Sequence, residues 1–235
     1  MNECALYLIP VPLSDVDVCS VLPAANIALV AKIKYFIVEN VRSARRFLKK
    51  CDRSIDIDSL TFFTLNQHTK PEEIGAFLKP LADGNDMGVI SEAGCPAVAD
   101  PGAAVVEIAQ RKHFRVVPLV GPSSIIMSLM GSGFNGQSFT FHGYLPIDAG
   151  ERARKFKEME QDIRCGDRTQ IFIETPYRNN RLIAEMSQHL PRQMRLCVAS
   201  DITGAGEKIL TKTIEEWCKM KYDYDKLPTI FLLYK

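Results

Sequence analysis

The first half of the chain alternates short apolar runs with segments of helical spacing, and this alternation constrains the fold more than any other feature. Five apolar runs predict strands at residues 4–10, 35–40, 61–66, 86–91 and 115–121. Helices are predicted between them at residues 21–33, 41–51 and 69–84, with a further helix capped by Asp100. Strands joined through helices pair in parallel with right-handed crossovers, so we expect a mostly parallel sheet covered on both faces.

The second half has a different texture. Residues 121–133 predict a short helix between glycines, and residues 148–164 predict a long charged one. Further strands are predicted at residues 138–146, 169–176, 194–203 and 229–235, with helices at 177–190 and 213–220. We therefore predict two α/β domains, residues 1–118 with the parallel sheet and residues 119–235 with a mixed sheet, with a ligand cleft between them.

Composition sets broad limits on the class of protein. The 235 residues are 46% hydrophobic and 24% charged, with a formal net charge of +1, which neither indicates nor excludes a nucleic-acid partner. Seven scattered cysteines without a C-x-x-C pair favour reduced thiols over a disulfide framework or a zinc site. The N-terminus has no basic region and no apolar run approaches ~18 residues, so we expect a cytoplasmic protein without a membrane span or a metal.

The stretch VISEAGCPAVADPG, residues 89–102, follows the fourth predicted strand. It lacks both the lysine of a phosphate-binding loop and the G-x-G-x-x-G of a dinucleotide site. Glu92 and Asp100 would repel phosphates, while the small residues allow a flat ligand to approach the backbone closely. This favours a cationic, hydroxyl-bearing ligand such as S-adenosylmethionine. The alternative, that Asp100 only caps a helix whose first turn holds Pro101, stays open at this point.

Several stretches in order carry a family resemblance: LYLIPVPLSD, VENVRSARRFL, SEAGCPAVADPG, VVPLVGPSSIIMSLMGSGF, FTFHGYLP and IFIETPYR. Together they resemble the tetrapyrrole methylase superfamily. The chain is most similar to its RsmI-type branch, methyltransferases that act on a ribose 2′-hydroxyl of small-subunit ribosomal RNA. The resemblance implies two α/β domains, S-adenosylmethionine in the cleft between them, an RNA or small ribosomal subunit as partner, and a homodimer.

Matched position by position, the resemblance implies a set of cofactor-contacting residues: Pro12, Leu13, Ala93, Gly94, Cys95, Val98, Ser123, Ser124, Glu174, Thr175 and Thr211. The substrate half departs from the family pattern. The first loop has Ser14 and Asp15 where the pattern has glycine and asparagine, and Asn40 replaces an aspartate. His68 alone remains of a two-histidine motif. Methyl transfer is thus better supported by the sequence than the identity of the acceptor.

Methyl transfer from a sulfonium is an in-line displacement, to which an enzyme contributes mainly alignment. A hydroxyl acceptor must also lose its proton, and Glu39 and Glu92 are the candidate bases, with Asp100 behind them. For Glu39, a solvated or arginine-paired carboxylate at the strand end is the favoured interpretation, whereas for Glu92 the two interpretations are balanced. His68 is interpreted as a loop histidine.

Two basic clusters could bind phosphates. Arg42, Arg45 and Arg46, continued by Lys49, share a helical face at i, i+3, i+4 and i+7 spacing, as on an RNA-binding surface. The second cluster, at residues 152–157, is diluted by glutamates. Two other functions stay open: a methyltransferase acting on a tetrapyrrole or another small molecule, and a non-catalytic S-adenosylmethionine-binding module.

Overall fold

The computed structural model describes residues 4–65 and 69–235. The chain divides into two compact units, Met1–Ser123 and Ser124–Lys235. The division lies a few residues beyond the expected boundary at residues 118 and 119. The reason is that the segment after the fifth strand still bonds to the first unit: Asn26 Nδ2 donates to the Val120 carbonyl at 2.7 Å, and Leu119 packs into the first unit's core.

The sheet of unit 1 is entirely parallel, which confirms the predicted fold class. Its strands are β1 (Ala5–Ile9), β2 (Tyr35–Val38), β3 (Thr61–Thr64), β4 (Met87–Ile90) and β5 (Arg115–Pro118), in the order β3-β2-β4-β1-β5. Ile90 at the end of β4 is in register with Ile9 on one side and Val38 on the other. The chain therefore leaves three neighbouring strands at one edge of the sheet.

In the part of unit 1 that the structure describes, six α-helices accompany this sheet: α1 (Val18–Val21), α2 (Ala24–Val30), α3 (Val41–Cys51), α4 (Pro71–Phe77), α5 (Lys79–Ala82) and α6 (Gly102–Arg111). Helix α3 has the predicted bounds. The Asn40 side chain caps it by accepting from the backbone N–H groups of Arg42 and Ser43 at 2.9 and 3.3 Å. Asparagine and aspartate are equally good caps, so Asn40 preserves the helix start of the family pattern.

Two predicted helices are each divided in the structure. The segment 69–84 forms α4 and α5, separated at Leu78, because Pro80 has no N–H to continue the first helix. Its predicted threonine cap is wrong: Lys70 precedes the first turn, and Thr69 Oγ1 instead donates to the Thr64 carbonyl at 3.5 Å. The segment 21–33 likewise divides, and Pro23 occupies the cap position of α2.

Unit 2 contains a mixed sheet, as predicted. Its strands are β6 (Phe139–Tyr144), β7 (Thr169–Ile173), β8 (Arg195–Ser200), β9 (Lys208–Thr213) and β10 (Thr229–Tyr234), in the order β6-β7-β10-β8-β9. β6 and β7 are parallel, and the other neighbours are antiparallel. The sequence analysis missed β9, an edge strand whose residues are half-buried or exposed. Its polar composition, KILTKT, hides it from a search for apolar runs.

The helices of unit 2 are α7 (Ser124–Ser132), α8 (Ala149–Gly166), α9 (Asn179–His189) and α10 (Ile214–Lys219). Helix α8 buries Phe156, Met159 and Ile163 on one face, at helical spacing. Trp217 of α10 is fully buried, and its indole N–H donates to the Leu196 carbonyl at 2.9 Å. Within residues 4–65 and 69–235, none of the helices has the length and apolar character needed to cross a bilayer.

One residue of the second basic cluster lies inside the fold. Arg152 is only 5% exposed, and its guanidinium donates to Glu185 at 2.6 Å and to the carbonyls of Pro146 and Ile147 at 2.7 and 2.8 Å. The loop before α8 is thereby fixed to α9. Arg152 is committed to the structure of unit 2 and is not part of a surface for phosphates.

We expect Arg152→Ala to destabilise unit 2 by about 3 kcal/mol, because it leaves two carbonyls and one oxygen of the Glu185 carboxylate without a donor, while Arg181 still donates to the other oxygen. Arg154→Ala is the matched control on the same helix. Arg154 is exposed, and its loss is expected to cost less than ~0.5 kcal/mol. Urea denaturation followed by the fluorescence of Trp217, the only tryptophan, reports on this unit. Equal stabilities of the two variants would contradict the assignment.

Candidate functional site

Two loops leave the carboxyl edge of the parallel sheet and pair with each other. The loop after β1 and the SEAGCP loop after β4 are joined by an antiparallel bridge between Val11 and Gly94. Each backbone N–H donates to the other residue's carbonyl at 2.9 Å. This bridge brings together Leu13 and Gly94, which the sequence resemblance had placed around the same ligand.

Small residues make this approach possible. Gly94 has φ +73°, and a Cβ added there would lie 3.2 Å from Leu13 Cδ2. A Cβ on Gly121 would lie 2.2 Å from Cβ of the rigid Pro10 ring, closer than two carbons can approach. Glycine is therefore required at residue 121 for the segment after β5 to lie against the first loop.

The SEAGCP loop is strained and is held by Asp100. Ala97 and Ala99 have φ values of 65° and 59°, in the left-handed region that non-glycine residues rarely adopt. The Asp100 carboxylate accepts from the backbone N–H groups of Ala97 and Gly102 at 2.9 and 2.7 Å. The predicted cap is displaced by one residue, because Pro101 is the N-cap of α6; Asp100 nevertheless has a structural role, since its carboxylate joins Gly102, the first residue of α6, to the strained turn.

The Asp100 and Glu39 carboxyls lie close to each other below this turn. Burial raises the pKa of Glu39, and the charges of Asp100 and Glu92 raise it further, while the backbone N–H of Glu92 lowers it by donating to the carboxylate. Burial also raises the pKa of Asp100, against the lowering effect of its two backbone bonds. Both side chains border a small cavity of about 10 Å³ in the sheet edge. Glu39 thus borders this small cavity and contacts the backbone of the loop that carries Glu92.

A larger pocket of about 340 Å³ opens on the other side of Glu92. Its walls come from the first loop, from α1 and α3, and from the SEAGCP loop: Val11, Pro12, Ser14, Asp15, Val18, Ser43, Arg46, Phe47, Lys50 and Glu92. A residue predicted to contact the cofactor, one predicted to bind substrate and one predicted to act as a base therefore share one pocket. We call the pocket lined by these ten residues the acceptor pocket.

The face of α3 that lines the acceptor pocket is one residue out of phase with the predicted basic stripe. It consists of Ser43, Arg46, Phe47 and Lys50. Arg45 turns to the opposite side, where its guanidinium lies 5.6 Å from the Phe62 ring centre. Arg42 is exposed and is not among the pocket walls. Lys50 belongs to the same predicted basic cluster but lies off the predicted stripe, and the burial of Ala44, Phe47 and Leu48 is what places it on the pocket face.

The polar groups of the acceptor pocket are already connected. Ser43 Oγ lies 2.5 Å from the Glu92 carboxylate and also within reach of the Asn40 carbonyl at 3.0 Å. Lys50 forms an ion pair with Asp15 across the pocket. Two cations and two carboxylates therefore line the walls, and the Ser43 hydroxyl orients the carboxylate of Glu92.

The predicted cofactor residues of unit 2 are engaged within that unit. The buried Glu174 carboxylate accepts from Arg178 at 2.6 Å and from the backbone N–H of Thr175 at 2.6 Å. Thr211 Oγ1 donates to the Ser132 carbonyl at 2.8 Å. Ser124 is the first residue of α7. The side chains of Glu174 and Thr211 thus have partners within unit 2.

The remaining predicted residues differ in exposure. Ala93 and Val98 are exposed, the latter by 51%, whereas Cys95 is half-buried with its thiol 3.4 Å from the Pro122 carbonyl. Ser123 is half-buried at the end of unit 1. His68 lies outside the described residues. In the described part of the chain, no three His, Cys, Asp or Glu side chains are grouped so that they could hold a metal ion.

Comparison with known proteins gives consistent relatives. A scan of protein-family models returns no match. "Ribosomal RNA small subunit methyltransferase I" of Vibrio cholerae is 29% identical over 204 residues, covering 87% of this chain and 67% of the relative. The protein of the same name from Pseudomonas aeruginosa is 26% identical over 92% of this chain and 72% of its own. That from Neisseria meningitidis serogroup B is 33% identical, over 65% of this chain and 51% of its own.

Solved structures agree at the level of the fold. Diphthine synthase superposes with a TM-score of 0.67 at 16% identity, over 98% of this chain and 89% of that one. The methyltransferase CobJ superposes with a TM-score of 0.65 at 15% identity, over 100% of this chain and 95% of that one. The fold is thus that of the tetrapyrrole methylases, and the class is the methyltransferases that use S-adenosylmethionine.

Within that class, the sequence relatives are more specific than the structural ones. The chain is related in sequence to ribosomal RNA small subunit methyltransferase I, and it shares the fold of the tetrapyrrole methylases. The resemblance stated from the sequence motifs is therefore confirmed.

The raised pKa of Glu39 predicts a pH-dependent cost of keeping this carboxyl charged. Because the pKa is above its ordinary value of 4.5 in the folded protein, the folded state binds this proton more tightly than the unfolded state. The stabilisation that comes from this tighter proton binding is complete below the ordinary pKa, and it is lost as the pH rises through the pKa of Glu39 in the folded protein. Glu39→Gln, which cannot ionise, should therefore be more stable than the wild type at pH 7 and equally stable below about pH 4.

Urea denaturation of unit 1, followed by circular dichroism at a series of pH values, measures this difference. The matched control is Glu107→Gln on α6, where an exposed carboxylate pairs with Arg111. If the difference in unfolding free energy between Glu39→Gln and the wild type does not change with pH, the charged form of Glu39 is not disfavoured in the folded protein.

Proposed function

We propose that the protein transfers the methyl group of S-adenosylmethionine to a ribose 2′-hydroxyl of small-subunit ribosomal RNA. The observation that carries the proposal is the convergence of Glu92, Arg46 and Lys50 on the acceptor pocket, beside the paired first loop and SEAGCP loop. A carboxylate next to two cations suits a hydroxyl that is flanked by phosphate. The name of the sequence relatives supplies the ribosomal RNA.

The chemical character of the loops of unit 1 suits the methyl donor. Gly94, Cys95 and Leu13 form a surface of backbone and small or apolar side chains without a lysine or arginine, which suits a cationic ligand with a flat base. When bound, S-adenosylmethionine supplies an electrophilic methyl group whose leaving group is a neutral thioether. We propose that Pro12, Ala93, Val98 and Ser123 complete the unit 1 contacts, and that Ser124, Glu174, Thr175 and Thr211 contribute from unit 2.

Glu92 is the proposed general base. It faces the acceptor pocket, and its carboxylate is oriented by Ser43. Glu39 does not line that pocket but accepts the backbone N–H of Glu92, so we assign it a positioning role. In this arrangement Glu92 takes the proton of the acceptor hydroxyl as the bond to carbon forms, while Arg46 and Lys50 hold the neighbouring phosphate.

The exposed arginines of α3 extend this surface. Arg42 and Arg45 are exposed on the same helix but outside the pocket, and there they would add further phosphate contacts. A ribosomal RNA substrate would place the protein in the cytoplasm. The homodimer implied by the family resemblance is part of the proposal, and gel filtration with light scattering would test it.

The placement of the donor predicts the effect of substitutions at two glycines with the same backbone conformation. Gly94 and Gly133 have φ values of +73° and +75°. Alanine at either position pays the same left-handed penalty, but only at residue 94 does its Cβ press on a neighbour, Leu13. We expect Gly94→Ala to weaken the binding of S-adenosylhomocysteine by about tenfold, or ~1.4 kcal/mol.

Isothermal titration calorimetry on both variants measures this effect, and Gly133→Ala serves as the control with unchanged affinity. If the two variants lose affinity equally, backbone strain alone explains the loss and the ligand is not bound at the Val11–Gly94 bridge.

The acceptor is tested by supplying radiolabelled S-adenosylmethionine together with three substrate pools. The pools are small ribosomal subunits, protein-free total RNA and a metabolite extract that contains tetrapyrroles. Label is expected in RNA of the small subunit, and nuclease digestion followed by mass spectrometry should find it on a ribose. Label in the metabolite pool alone would favour a small-molecule methyltransferase, and label in none would favour a binding module.

Glu92→Gln provides the internal test of the base. Loss of general-base catalysis should slow transfer by about 10²- to 10⁴-fold while S-adenosylhomocysteine still binds. Glu39→Gln should retain more activity, since glutamine can still accept the Glu92 N–H. A Glu92→Gln enzyme of wild-type rate would remove this residue from the reaction.

A further inference from the structure

The ion pair between Asp15 and Lys50 has no evident structural purpose. The Asp15 side chain is 92% exposed and that of Lys50 51%, so neither charge is buried and in need of a partner. The end of the first loop is held independently, because Asp17 caps α1 by accepting the backbone N–H of Cys19 at 3.1 Å. The fold therefore does not depend on this pair.

The position of the pair matters more than its strength. Both residues line the acceptor pocket, together with Arg46 and Glu92. Lys50, and to a smaller extent Arg46, lower the pKa of Asp15, so its carboxylate is charged and lies in the field of both cations. Among residues 4–65 and 69–235, no carboxylate lies within ion-pair distance of Arg46 itself. The two cations of the pocket thus share one exposed carboxylate.

We infer that Asp15 is a specificity-determining residue that occupies Lys50 until a substrate phosphate displaces it. With Asp15 in place the four charged walls sum to zero, so an anion gains little from entering the pocket. Once the carboxylate swings away, Arg46 and Lys50 outweigh Glu92 and the pocket attracts an anion. Exposed ion pairs are weak and exchange readily, which suits a group that must leave.

This inference rests on the proposed function for the identity of the phosphate, which belongs to an RNA acceptor. Its consequence is selectivity. A ligand must offer a phosphate that competes with an intramolecular carboxylate, so neutral or weakly anionic hydroxyl compounds are disfavoured at Lys50. Asp15 therefore discriminates by charge at the same pocket in which Glu92 accepts the proton.

The test is a double-mutant cycle on RNA binding, read independently of methyl transfer. The variants are Asp15→Asn, Lys50→Gln and the double variant, and the probe is a fluorescein-labelled single-stranded oligoribonucleotide. Asp15→Asn should tighten binding roughly threefold at low salt. Lys50→Gln should weaken binding and reduce the slope of log affinity against log salt by about 0.7, the loss of one phosphate contact. In the Lys50→Gln background, Asp15→Asn should have a much smaller effect, because only the weaker interaction with Arg46 remains.

Glu107→Gln is the matched control, because it also removes one negative charge from an exposed ion pair of unit 1, with Arg111. If it tightens binding as much as Asp15→Asn, or if Asp15→Asn acts equally without Lys50, the effect is one of net charge and the inference is wrong. The inference is also wrong if Asp15→Asn leaves the RNA affinity unchanged. The expected cycle without label transfer to RNA would support the Asp15 role and overturn the proposed function, so the two failures are distinguishable.

Discussion

The pair of hydrogen bonds between Val11 and Gly94 is the constraint on which the site depends. Each loop alone is a connection between a strand and a helix, free to choose its path. Joined by the bridge, the first loop is fixed relative to the SEAGCP loop, and Pro10 comes to lie against Gly121. The acceptor pocket exists because these segments are held together at the same edge of the sheet.

The in-register ends of β1, β2 and β4 explain why the site lies at this edge of the sheet. Their last residues, Ile9, Val38 and Ile90, are neighbours in the sheet, so the polar residues that follow each strand are delivered side by side. Glu39 and Glu92 follow two of these strands directly or after one residue. Their proximity is a property of the parallel sheet and needs no long-range pairing of its own.

Much of this could be predicted from the sequence, and the failures have physical causes. The central strands β1, β2 and β4 are continuous apolar runs because they are buried on both faces, and such runs are easily found. Edge strand β9 has half-buried, polar residues and was missed. The predicted basic stripe of α3 rested on helical spacing alone, which does not say which face of the helix is buried. The phase is fixed by the burial of Ala44, Phe47 and Leu48, which turns Arg46 into the acceptor pocket and Arg45 away from it.

The two basic clusters show why charge alone does not indicate a binding surface. On α3, Arg42, Arg45 and Arg46 are exposed, and Arg46 lines the acceptor pocket. On α8 the arginine at 152 points inward, where a charge must find partners, and Glu185 with two carbonyls supplies them. The sequence shows the same residue type in both helices. Only the direction of the side chain relative to the apolar face separates a group available to substrate from one consumed by the fold.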